Sequence, residues 1–283
     1  TGLLAKLSGK DASMLLAKAG KLAGGVDYAF LAKQPEMLGG RPNPFISAGS
    51  YEFTCAAHHV RLAESWEVFS EARASGKSRR RLREKEKRLA NRHGTVEYML
   101  VEDRKERARL IEQLVGWKVA QLKARGDRVP FDDIVAREFF RHLGAGDDGA
   151  GRVRLYALKC GGRPVAMALC LAGGKRLVYY LCGYDAGDTS RMSPGLLLLT
   201  NMLRIAHEDG FALFDFSNGD EEYKDRWADG EERIMVSGRA FTPLGMAGLA
   251  CERARLELIR AIKSDDRVLG LARRAIRLRR GAA

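Results

Sequence analysis

The chain has 283 residues, 46% of them apolar, a composition that supports real cores and excludes a disordered chain. No apolar run approaches the ~20 residues that a membrane-spanning helix needs, and no signal peptide is visible. A formal charge of +13 suits partners that carry negative charge: nucleic acid, an anionic membrane surface, or acidic small molecules such as nucleotides and CoA.

Periodicity and turn residues give the elements in chain order. Residues 10–24 read as a helix closed by Gly24-Gly25, 26–32 as a short strand and 51–56 as another. A basic helix is expected from about 62 to 93, where Gly94 ends it. Residues 95–102 make a strand. Leu110, Leu114, Trp117 and Gln121 follow one helical stripe within 103–125, and Gly126 stops that helix. Residues 131–143 form a second helix, with Pro130 and Asp132 near its start. Strands at 152–160, 164–172 and 176–184 are joined by CGGRP and AGGKR, where glycine supplies the positive φ of tight hairpins. MSPGLLLLTNMLRIAHEDG is a helix with Ser193 as N-cap, Pro194 at the first helical position and Gly210 past its end. A strand at 211–216 precedes a short helix capped by Asn218, with Glu221 completing a capping box. ERIMVSGRAF is the last strand. From residue 95 the order is β-α-α-β-β-β-α-β-α-β. The helix, glycine break and strand at 10–32 echo those at 194–216, a weak repeat that rests on element order.

Five cysteines, at 55, 160, 170, 182 and 251, show no CxxC spacing and read as buried, reduced thiols of a cytosolic protein. His58-His59 face opposite ways on a strand, and His93, His142 and His207 are isolated, so no metal site is expected. No G-x-S-x-G elbow or Walker A motif occurs. Much of the charge lies in KSRRRLREKEKRLANRH (77–93) and RRAIRLRR (273–280). In the first run Arg80, Glu84 and Arg88 are spaced by four, which suits a solvated face laced with ion pairs. The other reading is a groove wall for an anionic partner. The tail 251–280 is basic and amphipathic; it is expected to pack on the domain, with peripheral contact to an anionic membrane as the alternative.

The passage LFDFSNGDEEYKDRWADG (213–230) carries the densest polar chemistry. Asp215 alternates with Phe214 and Phe216 and so points to the other side of the sheet. A carboxylate there needs a partner, and Lys224 is a natural one. Tyr223 and Trp227 are four apart and share a helix face. A structural ion pair and a catalytic group are both open readings of Asp215 and Lys224.

Gly183-Tyr184-Asp185, Ser193-Pro194-Gly195, Asp215, Gly219-Asp220, Tyr223-Lys224 and Trp227, in this element order, resemble the doubled branch of the GNAT acyltransferase superfamily. That branch includes the FemAB-like aminoacyl transferases and the CelD-like proteins linked to cellulose and exopolysaccharide synthesis. SRRRLREKEKRL resembles the basic helix that precedes the second domain in this branch, and the resemblance covers about residues 65–240. It implies a mixed-sheet α/β fold in tandem: a truncated GNAT-like half with a basic linking helix at 1–93, a GNAT domain at 94–243 and a basic helical tail at 244–283. Early strands of the first half are then expected before Thr1.

The resemblance implies an acyltransferase that moves an acyl group from acetyl-CoA or another acyl-CoA to an amine or hydroxyl acceptor. The setting would be exopolysaccharide or cell-envelope biosynthesis, cytoplasmic or membrane-peripheral, with no metal. The strands at 176–184 and 211–216 are expected to part and admit the pantetheine arm, held by backbone groups near Leu181 and Gly183. The helix starting at 194 would receive phosphate oxygens. Pro194 has no N–H, which leaves Met192, Ser193 and Gly195 as donors and Arg191 as a cation. The loop GDTSRMSPG departs from the glycine-rich run typical of the fold. Asp215 is expected as base, Tyr223 as acid for the leaving thiolate and Lys224 as a charge anchor. Trp227, Asp220 and Arg80 are the expected substrate contacts. The alternatives are a FemAB-like transferase that takes aminoacyl-tRNA as donor, and a basic binding module without turnover.

Overall fold

The structure is a computed structural model that describes the chain except residues 1–6, 39, 48, 63–64, 127–128, 130, 147–151, 220–221 and 266–283 and the side chains of 222, 223, 225 and 263. The chain opens with α1 (Gly9–Leu22), β1 (Tyr28–Pro35), three two-residue strands β2 (Met37–Leu38), β3 (Arg41–Pro42) and β4 (Tyr51–Glu52), and β5 (Ala57–Arg61). Next come α2 (Trp66–Arg73), α3 (Gly76–His93), β6 (Val96–Leu100), α4 (Arg104–Arg125) and α5 (Ile134–Ala145). β7 (Val153–Cys160), β8 (Arg163–Gly173), β9 (Arg176–Tyr184), a 3-10 turn (Asp188–Met192), α6 (Pro194–Glu208) and β10 (Leu213–Asn218) follow. α7 (Glu222–Trp227), β11 (Gly230–Glu232), β12 (Ile234–Ala240) and α8 (Pro243–Ser264) end the order. These elements form two compact units, one of residues 1–58, 218–220 and 231–283, the other of residues 59–217 and 221–230.

In the first unit β12 lies between β1 and β4 and pairs antiparallel with both. Ser8 caps α1: its hydroxyl accepts from the Asp11 N–H, and the Asp11 carboxylate accepts from the Ser8 N–H. Arg239 on β12 donates to the Ser13 carbonyl of α1 at 2.8 Å. α1 is followed by Gly24, at positive φ, and then by β1.

The second unit is built on a mixed sheet in the order β5-β10-β9-β8-β7-β6, which β5 joins from His59 onward. β6 to β9 form an antiparallel meander, and β10 joins β9 in parallel. The central strands read as continuous apolar runs because both faces are covered. Side chains alternate between the faces. Leu155, Ala157, Met167 and Leu169 pack with α4 and α5 on one face. Tyr156, Leu158, Ala166 and Ala168 pack with α6 and with Leu89 of α3 on the other. Cys160 and Cys170 are buried, and burial pushes both thiols up. Cys251 is exposed, against the expectation of burial.

Several expectations need correction. The single basic helix from 62 is two helices. Ala74 is extended, and Ser75 caps a new start by accepting from the Ser78 N–H. The strand at 51–56 shrinks to β4, and β5 takes over from residue 57. Asn218 is the last residue of β10 rather than a helix cap, because the strand runs on and α7 begins only at Glu222. Its amide lies 3.9 Å from Cys55 Sγ; Glu221 falls outside the described residues. The last strand breaks at Arg233, which pairs with Glu36, and its second piece, β12, joins β1 and β4. The part of the basic tail beyond residue 265 lies outside the described residues.

Helices α4 and α5 meet at Gly144, where an added Cβ would lie 2.8 Å from the Ala108 Cα and 3.0 Å from Ile111 Cδ1. Alanine is the better helix former by about 1 kcal/mol. A clash against backbone costs about 1–3 kcal/mol and outweighs that gain. Gly144→Ala is therefore expected to lower the urea-unfolding free energy; an unchanged or raised midpoint would contradict this packing.

Candidate active site

The site is set by how two parallel strands separate. Leu213, Phe214 and Asp215 pair with Arg176, Leu177 and Val178, and the register of β10 on β9 ends there among the described residues. β9 continues to Tyr184. Its ladder with β8 shifts by one residue between Leu181 and Tyr179, so Tyr180 is the extra residue of a bulge. β10 turns at Ser217, which has φ 61°, a left-handed conformation that costs energy in a non-glycine residue.

Leu181 is buried and stays in register with Leu169 of β8. Gly183 is in register with Met167, and its Cα faces α4 so closely that an added Cβ would stand 2.9 Å from Leu114 Cδ1. Past β9, the Tyr184 carbonyl accepts from Gln121 Nε2 at 3.0 Å. A cleft of about 570 Å³ opens at this end of the strand, with Arg109, Arg163, Asp185 and Thr189 in its lining. The Thr189 hydroxyl is buried without a partner.

Ser193 stands at the N-cap position of α6, yet its side chain does not cap the helix. It is left-handed (φ 54°, ψ 54°), and its hydroxyl accepts from Lys85 Nζ of α3 at 2.6 Å. Its N–H, expected to be free, donates to the Ser190 carbonyl. Leu196 and Leu197 both donate to the Ser193 carbonyl, and Pro194 has no N–H. Gly195 is thus the open donor of the first turn among the described residues, beside the Tyr184 ring, 3.5 Å from where a Cβ would sit. Met192 is buried and Arg191 is exposed in the preceding turn. Burial, and then the charges of Arg81 and Arg88, hold Lys85 below the usual lysine value.

Asp215 and Lys224 both fasten on Ser217. Asp215, 8% exposed, accepts from the Ser217 N–H at 2.7 Å and lies 3.6 Å from Arg176. Lys224, only 2% exposed, donates to the Ser217 carbonyl at 3.4 Å. Trp227 is packed in the main core, stacked on Phe69 at 6.0 Å between ring centroids. Arg80 points to solvent, 79% exposed, and pairs with Glu84, as a solvated face requires. Asp220 and the Tyr223 side chain lie outside the described residues. Lys85, Arg176 and Ser217 were not singled out in the sequence: Lys85 is one cation in a row of cations, and no local pattern marks the other two. No group of three or more metal-holding side chains occurs among the described residues.

The family model of the acetyltransferase (GNAT) domain matches residues 76–225, more than half of the chain. The chain belongs to the GNAT acetyltransferase domain family. The match begins with α3 and ends inside α7, so the splayed strands and the α6 start of this GNAT domain lie within it. No curated protein matches the sequence. Among solved structures, the C-terminal domain of a putative lysylphosphatidylglycerol synthetase from Agrobacterium fabrum is 14% identical over 84% of this chain and 75% of its own, with a TM-score of 0.51. That likeness shows the fold. FemX is 11% identical over 80% of this chain and 76% of its own, with a TM-score of 0.47. A GCN5-related N-acetyltransferase from Kribbella flavida is 12% identical over 78% of this chain and 62% of its own, at 0.37.

The Ser217 junction of the GNAT domain is open to test. Asp215→Ala removes an acceptor from a part-buried N–H and is expected to cost about 1–3 kcal/mol of stability. Asp215→Asn keeps that acceptor and loses the charge that faces half-exposed Arg176, a pair worth about 0–1 kcal/mol. Equal losses in chemical denaturation would show that the Ser217 bond contributes little.

Proposed function

We propose that this GNAT domain transfers an acyl group from acyl-CoA to an amine or hydroxyl acceptor. The observation that carries the proposal is the end of the β10 register at Asp215 and Val178, followed by the Tyr180 bulge and the Ser217 turn. A slender thioester arm suits a gap of this kind, because it can bond strand edges as a further strand would. The α6 start suits the donor's phosphates through the Gly195 N–H and the helix dipole, with Lys85 at Ser193 and Arg191 in the preceding turn as cations, while Arg109 and Arg163 line the cleft at the end of β9. Lys85 takes the part that a glycine-rich loop plays elsewhere in the family.

In the transfer, the acceptor nitrogen or oxygen bonds to the acyl carbon and gives up a proton. The carbon–sulfur bond breaks, and the thiolate takes a proton. We assign the thiolate's proton to the Tyr223 hydroxyl. Asp215, directly or through water, takes the acceptor's proton, and Lys224 fixes the Ser217 turn that presents Asp215. An acceptor from an envelope or exopolysaccharide pathway is the class suggested by the resemblance. A second reading, transfer from an aminoacyl-tRNA, is favoured by the exposed cations of α3, including Arg80, Arg81 and Arg83.

Thermal melting with CoA and acetyl-CoA tests the donor. The melting temperature is expected to rise with either. No rise, together with salt-sensitive retention of tRNA, would replace the first reading by the second. Tyr223→Phe is expected to lower kcat by about a hundredfold to ten-thousandfold while CoA binding persists. Turnover undiminished in both Tyr223→Phe and Asp215→Asn would remove the chemistry from this site. The low-lying Lys85 adds a pH signature: it is a cation below its lowered pKa and neutral above, so CoA affinity should fall on the alkaline side earlier than for an ordinary lysine. Lys85→Met should flatten that limb.

A further inference from the structure

A helix on a sheet ordinarily turns its large apolar side chains toward the core. Helix α1 is arranged the other way. The side it buries is small: Ala12 is buried, and Gly20 stands so close to Phe241 that an added Cβ would lie 2.8 Å from the ring. The side it turns to solvent is large and apolar: Met14 and Leu15 are exposed, and Leu22 is 89% exposed. Lysines share that side. Lys10, Met14, Lys18 and Leu22 stand four apart and form one row, with Lys21 beside it. All three lysines are exposed. Asp11, the acid of α1, has its carboxylate engaged by the Ser8 N–H and hydroxyl.

The start of α8 continues this surface. After Leu22 the chain turns at Gly24 and Gly25, both at positive φ, with open space where a Cβ would stand. Asp27 then ties the turn to α8. Its carbonyl accepts from the Phe241 N–H at 2.8 Å, and its carboxylate accepts from the Thr242 hydroxyl at 2.6 Å. A Cβ added to Gly245 would run into the same carbonyl. Around this joint Val26 is exposed, and so are Leu244 and Met246, at 69% and 67%. From Pro243 to Cys251 the chain carries no charge.

Single exposed apolar residues are ordinary, whereas a contiguous group marks a surface that another body covers. The interleaved charge says which body. Nucleic acid would take the lysines and leave Leu22, Leu244 and Met246 in water. A two-fold contact with a second copy sets the same patch against itself and brings two lysine rows together. A bilayer with anionic headgroups takes both kinds of group: phosphates meet the ammonium groups, and the aliphatic side chains enter the boundary with the acyl chains. We propose that the outer row of α1 and the first turn of α8 form a docking surface for an anionic phospholipid bilayer, with the bare Gly24-Gly25 tip in the headgroup layer. None of these residues lies within 76–225, so the inference does not rest on the transfer reading.

Flotation of the full chain with vesicles of phosphatidylcholine and phosphatidylglycerol in equal parts, against phosphatidylcholine alone, reads the contact. The chain is expected to float with the anionic vesicles only. Lys18→Gln with Lys21→Gln should weaken binding about 25-fold, from roughly fivefold for each lysine near such a surface. Leu22→Ser with Leu244→Ser, at exposed positions, should weaken it about tenfold or more. Circular dichroism and melting temperature verify that each variant is folded. The inference is overturned if the chain does not float with the anionic vesicles, if it floats equally with phosphatidylcholine alone, or if either folded variant floats as the parent does. Two further outcomes also overturn it: a dimer by light scattering that Leu22→Ser with Leu244→Ser dissociates while vesicles go unbound, and retention of RNA that the lysine variant abolishes while vesicles go unbound.

Discussion

Parallel strands hold each other only while their backbone groups stay in register, and β10 keeps that register with β9 for three residue pairs among the described residues. What the proposed transfer asks of this GNAT domain follows from where the pairing ends. The last pair contains Asp215, which brings its carboxylate to the fork. The bulge at Tyr180 on one side and the left-handed Ser217 on the other turn the strands apart. Strain of this kind persists only where neighbours over-determine it. At Ser217 those neighbours are Asp215 on the N–H and Lys224 on the carbonyl.

The sequence made much of this legible. The meander β7–β9 follows from apolar runs punctuated by Gly161-Gly162 and Gly173-Gly174, and the α6 boundaries from Pro194 and Gly210. The element order was enough to suggest the family that the match to residues 76–225 shows. The less legible features depend on contacts remote in sequence. Nothing near Ser75 distinguishes a helix restart from a continuous basic helix, because serine is tolerated in both. The transfer of β12 to a sheet with β1 and β4 is settled by pairing across some two hundred residues, which no local pattern encodes.

The site residues divide the same way. Asp215 was visible because a charge inside an apolar strand is costly. Its described partners were not: Arg176 is its near neighbour across the parallel ladder, and the Ser217 N–H depends on a local backbone turn. Ser193 shows the limit of a cap signature. Proline directly after serine marked the helix start, but the serine is left-handed there, and a lysine from α3 occupies its hydroxyl. The basic helix, first read as a solvated row, therefore has two sides: Arg80 lies in solvent with Glu84, and Lys85 reaches Ser193 ahead of α6.

The close approach of Gly183 to Leu114 and Trp117 bears on how the gap works. A strand released on one edge ordinarily wanders, and a guest must arrest that motion when it docks. Here α4 leans against the bare backbone of β9 from the broad side of the sheet, so the margin of the opening is stiff before anything enters. A guest chain would then surrender its own freedom on arrival and demand little from its host.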